Sequence, residues 1–161
     1  MITMLMRGAL AAALLLPTPG LANEAADLIR DFYAAVDAER PDPAAYGAMI
    51  AEGFVDNDRP ETAPEGATDR EVILGLFAEL EQGFPDAVHT LDILEPIGAD
   101  RAIVYWTFEG RHDGPFFGIP ASGRNISING VDIFRVEDGA FVEQWHVEEL
   151  YSLFAQIAPA E

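Results

Sequence analysis

The sequence predicts an α+β fold, with helices packed on one face of a curved antiparallel sheet. Three observations carry this. Apolar residues recur at helical spacing through the first half of the chain, and from Ala87 onward the period switches to two. Short turn signals such as Gly98-Ala99-Asp100 and Glu137-Asp138-Gly139 then join neighbouring strands. Helices followed by a meander of long strands place the helices together on the sheet. Long strands curl as they twist, so helices closing one face leave room for an interior pocket. At 161 residues the chain is one ordinary domain.

The first 22 residues are set apart from that domain. Arg7 precedes the apolar run of residues 8–16, and Pro17, Pro19 and the small-residue stretch Gly20-Leu21-Ala22 follow. This is the order of a secretory signal, too short and too proline-bounded to span a bilayer. Cleavage after Ala22 is expected, leaving residues 23–161 in a periplasm or outside the cell.

Asn23 is then placed to cap a helix carrying Leu28, Ile29, Phe32, Tyr33 and Val36. Pro41-Asp42-Pro43 breaks it, and Asp42-Pro43 starts a second short helix with Tyr46, Met49 and Ile50. Phe54-Val55-Asp56-Asn57 reads as a short strand, and residues 58–67, with Pro60, Pro64 and Gly66, as a loop. Thr68 with Glu71 is a capping box, and Val72, Ile73, Leu76, Phe77 and Leu80 share a face of the helix behind it. Strands are expected over residues 87–94, 101–111, 125–136 and 140–147, and a last helix over 149–157.

Charge and composition exclude several classes of function. Nine basic residues, all arginine, stand against 28 acidic ones, a net charge of −19. Such a chain is repelled by phosphate backbones and anionic lipid, so neither nucleic acid nor, after signal cleavage, a membrane is an expected partner. No cysteine is present, hence no disulfide, thiol nucleophile or thiolate metal site. H-E-x-x-H, G-x-S-x-G and P-loop patterns are absent, and the three histidines lack local zinc spacing, so no metal site is expected.

The stretch Gly110-Arg111-His112-Asp113-Gly114-Pro115-Phe116-Phe117-Gly118-Ile119-Pro120-Ala121-Ser122-Gly123-Arg124 resembles a loop of the SnoaL-like polyketide cyclases and related ester cyclases. The segments Gly130-Val131-Asp132-Ile133-Phe134-Arg135, Val142-Glu143-Gln144-Trp145-His146-Val147-Glu148-Glu149 and Phe54-Val55-Asp56-Asn57-Asp58 are similar to others of that family. The resemblance implies a conical α+β barrel of the nuclear transport factor two-like type, dimerised through the outer sheet face. It implies aldol ring closure by a pocket carboxylate at the end of the last strand, with no metal or organic cofactor. That position falls on Glu149, where the family carries aspartate.

A carboxylate in an apolar pocket suits this chemistry, because desolvation raises its pKa toward neutrality. Glu149 is the first catalytic candidate, with a helix-start role as its bland alternative. His112 shares strand parity with Trp106 and Phe108, and either shuttles a proton or orders the loop after it. Asp132 shares parity with Ile128 and Phe134, as a buried catalytic partner or a structural acceptor. Trp106, Trp145 and Phe108 are expected as pocket walls, Asn57 and Asp58 at the mouth, Asp56 as turn chemistry, and His146 facing outward. The expected function is a cyclase or isomerase acting on a carbonyl-containing small molecule. The alternatives are an exported binder of an apolar ligand or an epoxide-hydrolase-type enzyme using Asp132, Glu149 and an arginine. Polyketide intermediates are made in the cytoplasm, so an exported cyclase would rarely meet one.

Overall fold

The computed structural model describes residues 19–158, so most of the predicted leader lies outside the described residues. Helix α1 spans Pro19–Val36. Asn23 therefore lies inside the helix rather than at its cap. Ala25, Ala26, Ile29, Phe32 and Tyr33 form its buried stripe. Helix α2, Pro43–Gly47, opens as predicted, with the Asp42 carboxylate accepting from the Ala44 N–H at 3.0 Å and proline in its first turn. It stops sooner than expected, because Ile50 begins strand β1, Ile50–Asp56.

Helix α3, Asp69–Gly83, carries the predicted capping box. Thr68 accepts from the Glu71 N–H, and Glu71 accepts in return from the Thr68 N–H at 2.8 Å. Strands β2 (Val88–Ile97), β3 (Arg101–Arg111), β4 (Asn125–Glu137) and β5 (Ala140–Glu148) follow, then helix α4, Leu150–Ile157.

The strands form one curved, unclosed sheet in the order β1-β5-β4-β3-β2. Neighbours β2 to β5 pair antiparallel as predicted, and β1 joins the β5 edge in parallel. Helix α1 lies on β2 and β3, α3 on β1, and α4 on β4, giving the cone of the nuclear transport factor two-like folds. Phe32 anchors the narrow end, its ring centroid 5.2–6.4 Å from those of Phe77, Phe141, Tyr46 and Phe134.

Two irregularities decide which side chains point inward. In β5, Phe141 stands opposite Val136 but Glu143 opposite Arg135, so one extra residue sits around Val142. In β2 the same slip separates Leu91 from Ile93. Each bulge transfers every later residue of its strand to the other face of the sheet.

Candidate active site

Between the helices and the concave sheet lies a cavity of about 800 Å³, within the range of small-molecule sites. Its walls are mostly apolar: Trp106 and Phe108 from β3, Ile128 and Phe134 from β4, Ile73 and Phe77 from α3, and Leu150, Leu153 and Phe154 from α4. Its polar lining includes Tyr33, Asp132, Gln144, His146, Glu148, Asp56 and His89.

Asp132 is the hub of one polar cluster. It is 3% exposed and accepts hydrogen bonds from three side chains: the Tyr33 hydroxyl and Trp106 Nε1–H, both at 2.5 Å, and the Gln144 Nε2–H at 2.9 Å. An indole N–H can only donate, so Asp132 serves as an acceptor. Burial pushes its pKa above the usual carboxylate range, and the three donors pull the other way. Burial and the adjacent Asp132 charge hold Tyr33 well above the ordinary phenol value, so Tyr33 remains a donor.

A glycine makes this cluster possible. Trp106 is paired with Gly130, and a Cβ there would lie 2.1 Å from the indole ring. The bare backbone lets the ring lie across β4 toward Asp132.

The second cluster stands on β5 and β1. His146 Nε2 lies 3.5 Å from Asp56 Oδ1, and both side chains are largely buried. The Asp56 carboxylate, then Glu148 and Asp132, raise the His146 pKa to about 9 against the cost of burial, so the imidazole is cationic at neutral pH. The backbone holds the pair in place: Asp58 Oδ2 accepts from the His146 N–H at 2.9 Å, and Asp56 Oδ1 from the Asp58 N–H at 2.9 Å. Glu148 projects into the cavity one alternation further along β5. Desolvation raises its pKa to about 7, the His146 charge opposing and the Asp132 and Asp56 charges assisting. Among the described residues no side chain or backbone group hydrogen-bonds its carboxyl.

Of the residues singled out from the sequence, Trp106, Phe108, Asp132 and Asp58 line the cavity. Glu149 does not. It precedes α4 on the exposed side of the sheet, where its carboxylate accepts from the Asn129 N–H at 3.0 Å and the Asn129 side chain at 3.2 Å. Trp145 faces the same outer side, half-buried, with the Arg101 guanidinium 5.0 Å above its ring. His146, predicted to face outward, lies inside. One cause explains all three: the extra residue near Val142 turns Gln144, His146 and Glu148 inward and Trp145 and Glu149 outward.

His112 is fully buried but beneath the loop of residues 112–124, not in the cavity. Its Nδ1 meets the Ser122 hydroxyl at 3.1 Å and the Ser122 N–H at 3.2 Å, and Phe84 packs on its ring. Desolvation lowers its pKa, and it orders the loop. Asn57 is exposed, donating to the Gln144 carbonyl at 3.0 Å and tying β1 to β5 outside the cavity. Tyr33, Asp56, Gln144, His146 and Glu148 belong to the site without having been singled out for it. A signal for three of them was in view: Gln144, His146 and Glu148 put polar residues at every second position as the last strand ends.

A fold of this kind, with a mainly apolar cavity and a few converging acids and bases, defines a small-molecule-binding cone of the nuclear transport factor two-like class. Residues 27–157 match the SnoaL-like polyketide cyclase pattern, and the chain belongs to that family. TsrD from Streptomyces laurentii is 30% identical, with a TM-score of 0.69 over 84% of this chain and 96% of that one. The putative polyketide cyclase IdmH from Streptomyces antibioticus is 26% identical, TM-score 0.65, over 83% and 97%. A putative SnoaL-like polyketide cyclase from Jannaschia has the same fold at 20% identity, TM-score 0.70, over 89% and 97%. No curated protein matches the chain. Family membership supports a cyclase- or isomerase-type function.

Proposed function

We propose that the protein is a cyclase or isomerase that moves protons on a carbonyl-containing, largely apolar small molecule, with Glu148 as general acid and base. The observation that carries this is Glu148 itself: a carboxyl group on the cavity wall, with no hydrogen-bond partner among the described residues and a pKa of about 7. Such a group exists in both protonation states near neutrality, which is what general acid–base catalysis requires.

As carboxylate, Glu148 takes the acidic proton next to a substrate carbonyl, forming an enolate. The neighbouring His146 cation stabilises the charge that develops on oxygen. The enolate carbon then attacks a second carbonyl, or is reprotonated elsewhere for isomerisation, and Glu148 returns its proton. Asp132, fixed by Tyr33, Trp106 and Gln144, holds the intervening wall in one arrangement and adds negative charge that keeps His146 protonated.

Tetralone, an apolar bicyclic ketone, tests this without knowledge of the natural substrate. In heavy water the protein is expected to accelerate exchange of the protons next to its carbonyl, followed by NMR. Glu148→Gln is expected to lower that acceleration by about 10²–10⁴-fold while tetralone still binds; Glu149→Gln is expected to leave it unchanged. Binding without exchange in the wild type would instead identify a carrier of apolar ligands.

A further inference from the structure

We propose that His89, oriented by Asp37, is a second proton-handling group of the same cavity, placed to serve the substrate oxygen while Glu148 serves the carbon. This rests on the reading of Glu148 above. Asp37 directly follows α1, and His89 is the second residue of β2. Both Asp37 oxygens are engaged by this one residue, Oδ2 accepting from the His89 N–H at 2.7 Å and Oδ1 facing Nδ1 at 2.8 Å. The side chains are 14% and 5% exposed. A carboxylate gripping both the backbone and Nδ1 fixes the ring plane and keeps a hydrogen on Nδ1. Nε2 is left as the nitrogen that exchanges its proton.

The ring is clamped as well as tethered. Its centroid is 4.6 Å from Phe108, 4.8 Å from Tyr33 and 5.2 Å from Trp106, all three cavity-lining residues, and His89 itself lines the cavity. On its other side, His89 and Asp37 border a cleft of about 30 Å³ beside the exposed Ala38 and Glu81, room for about one water. The imidazole therefore lies between the cavity and the protein surface, where a spent proton can be replaced.

The sheet sets the separation. Glu148 pairs with Gly130, Gly130 with Trp106 and Trp106 with Leu91, two residues beyond His89 on the same face. Strands β2 and β5 are three spacings of about 4.8 Å apart along the sheet, roughly 14 Å, and side chains reaching into the concave face shorten that. The α-carbon and the oxygen of one carbonyl lie side by side, so it is this convergence of the two side chains over the concave face, and not the length of the substrate, that lets both act on it. Glu148 takes a C–H proton from the carbon next to the carbonyl while His89, entering the step with hydrogens on both ring nitrogens, gives its Nε2 proton to the carbonyl oxygen. This leaves an enol, protonated Glu148, and an imidazole whose Nδ1–H is still held by Asp37. Return of both protons restores the starting state.

The full chain has only three histidines, so a histidine-labelled sample resolves each ring by nitrogen-15 NMR. The expected result is a hydrogen on His89 Nδ1, a His89 Nε2 resonance that moves on adding tetralone together with that of His146, and an Asp37→Asn protein in which the tautomer is released. His89→Gln is expected to slow tetralone exchange by about tenfold or more, and Asp37→Asn by less, with the fold intact by circular dichroism. If tetralone moves His146 but not His89, or if Glu148→Gln abolishes exchange while both other variants retain it, His89 is a packing residue and the Glu148 reading stands. If the wild type neither shifts nor exchanges, both readings fall.

Discussion

Glu148 and His146 each hold a proton in the folded chain that the unfolded chain has already released, and this makes stability depend on pH in one direction. The Glu148 pKa is raised from 4.5 to about 7, so its stabilising effect is complete below about pH 4.5 and lost as pH rises through 7. The His146 pKa is raised from 6.5 to about 9, so its contribution is complete below about pH 6.5 and lost through 9. Thermal unfolding is expected to show a melting temperature that falls from about pH 5 to pH 9. Glu148→Gln should abolish the acid part of that decline and, at about pH 8, exceed the wild type by on the order of 1–3 kcal/mol, because a poorly solvated charge has been removed. His146→Gln should abolish the alkaline part. A wild-type profile flat over this range would show that neither proton is held as described.

At the scale of elements, the bulge in β5 matters most. The strands themselves were legible: β3 runs over the predicted 101–111, and β4 and β5 differ from expectation by one residue at an end. The inward set of β4, with Asp132 and Phe134, followed from plain alternation. The inward set of β5 did not, because one extra residue changes the face without changing composition, and the sequence around Val142 carries no glycine to mark it. Plain alternation therefore puts Glu149 on the cavity side, where the bulge puts Glu148 instead. The Asp37–His89 pair was equally out of view, since it joins a helix end to a strand 52 residues later.

Gly130 offers a test of how tightly β3 and β4 define the Asp132 cluster. In Gly130→Ala the new methyl group meets the Trp106 ring, which has to swing away from Asp132. A loss of about 1–3 kcal/mol is expected from overpacking, with changed indole fluorescence and near-ultraviolet circular dichroism as Trp106 moves. An unchanged spectrum and melting temperature would mean that the ring is free to adjust, and that its bond to Asp132 does not organise the wall.

The whole molecule presents an outer sheet face lined with apolar side chains. Two adjacent rows cross it, Ile93-Tyr105-Val131-Val147 and, beside it, Ile103-Ile133-Trp145. Val147 is 73% and Ile93 52% exposed, and the remaining members are half-buried. Contiguous apolar surface of this kind marks an interface. We propose that a second copy of the chain covers it. Arg101 stands at one end of the strip and Glu109 at the other, so a twofold axis across it turns these opposite charges toward each other. Export is proposed alongside, from the leader of residues 1–22. The mature protein recovered outside the cytoplasm should begin at Asn23, read by intact mass, and it should sediment as a dimer. Val147→Glu places a charge in the middle of the strip, and its copy lies near it across the axis. That substitution is expected to yield monomers while leaving tetralone exchange intact, because Glu148 and His146 face the opposite side of the same strand. A wild-type monomer would remove the dimer from this picture. A monomeric variant that also lost exchange would show instead that the outer face supports the geometry of the cavity wall.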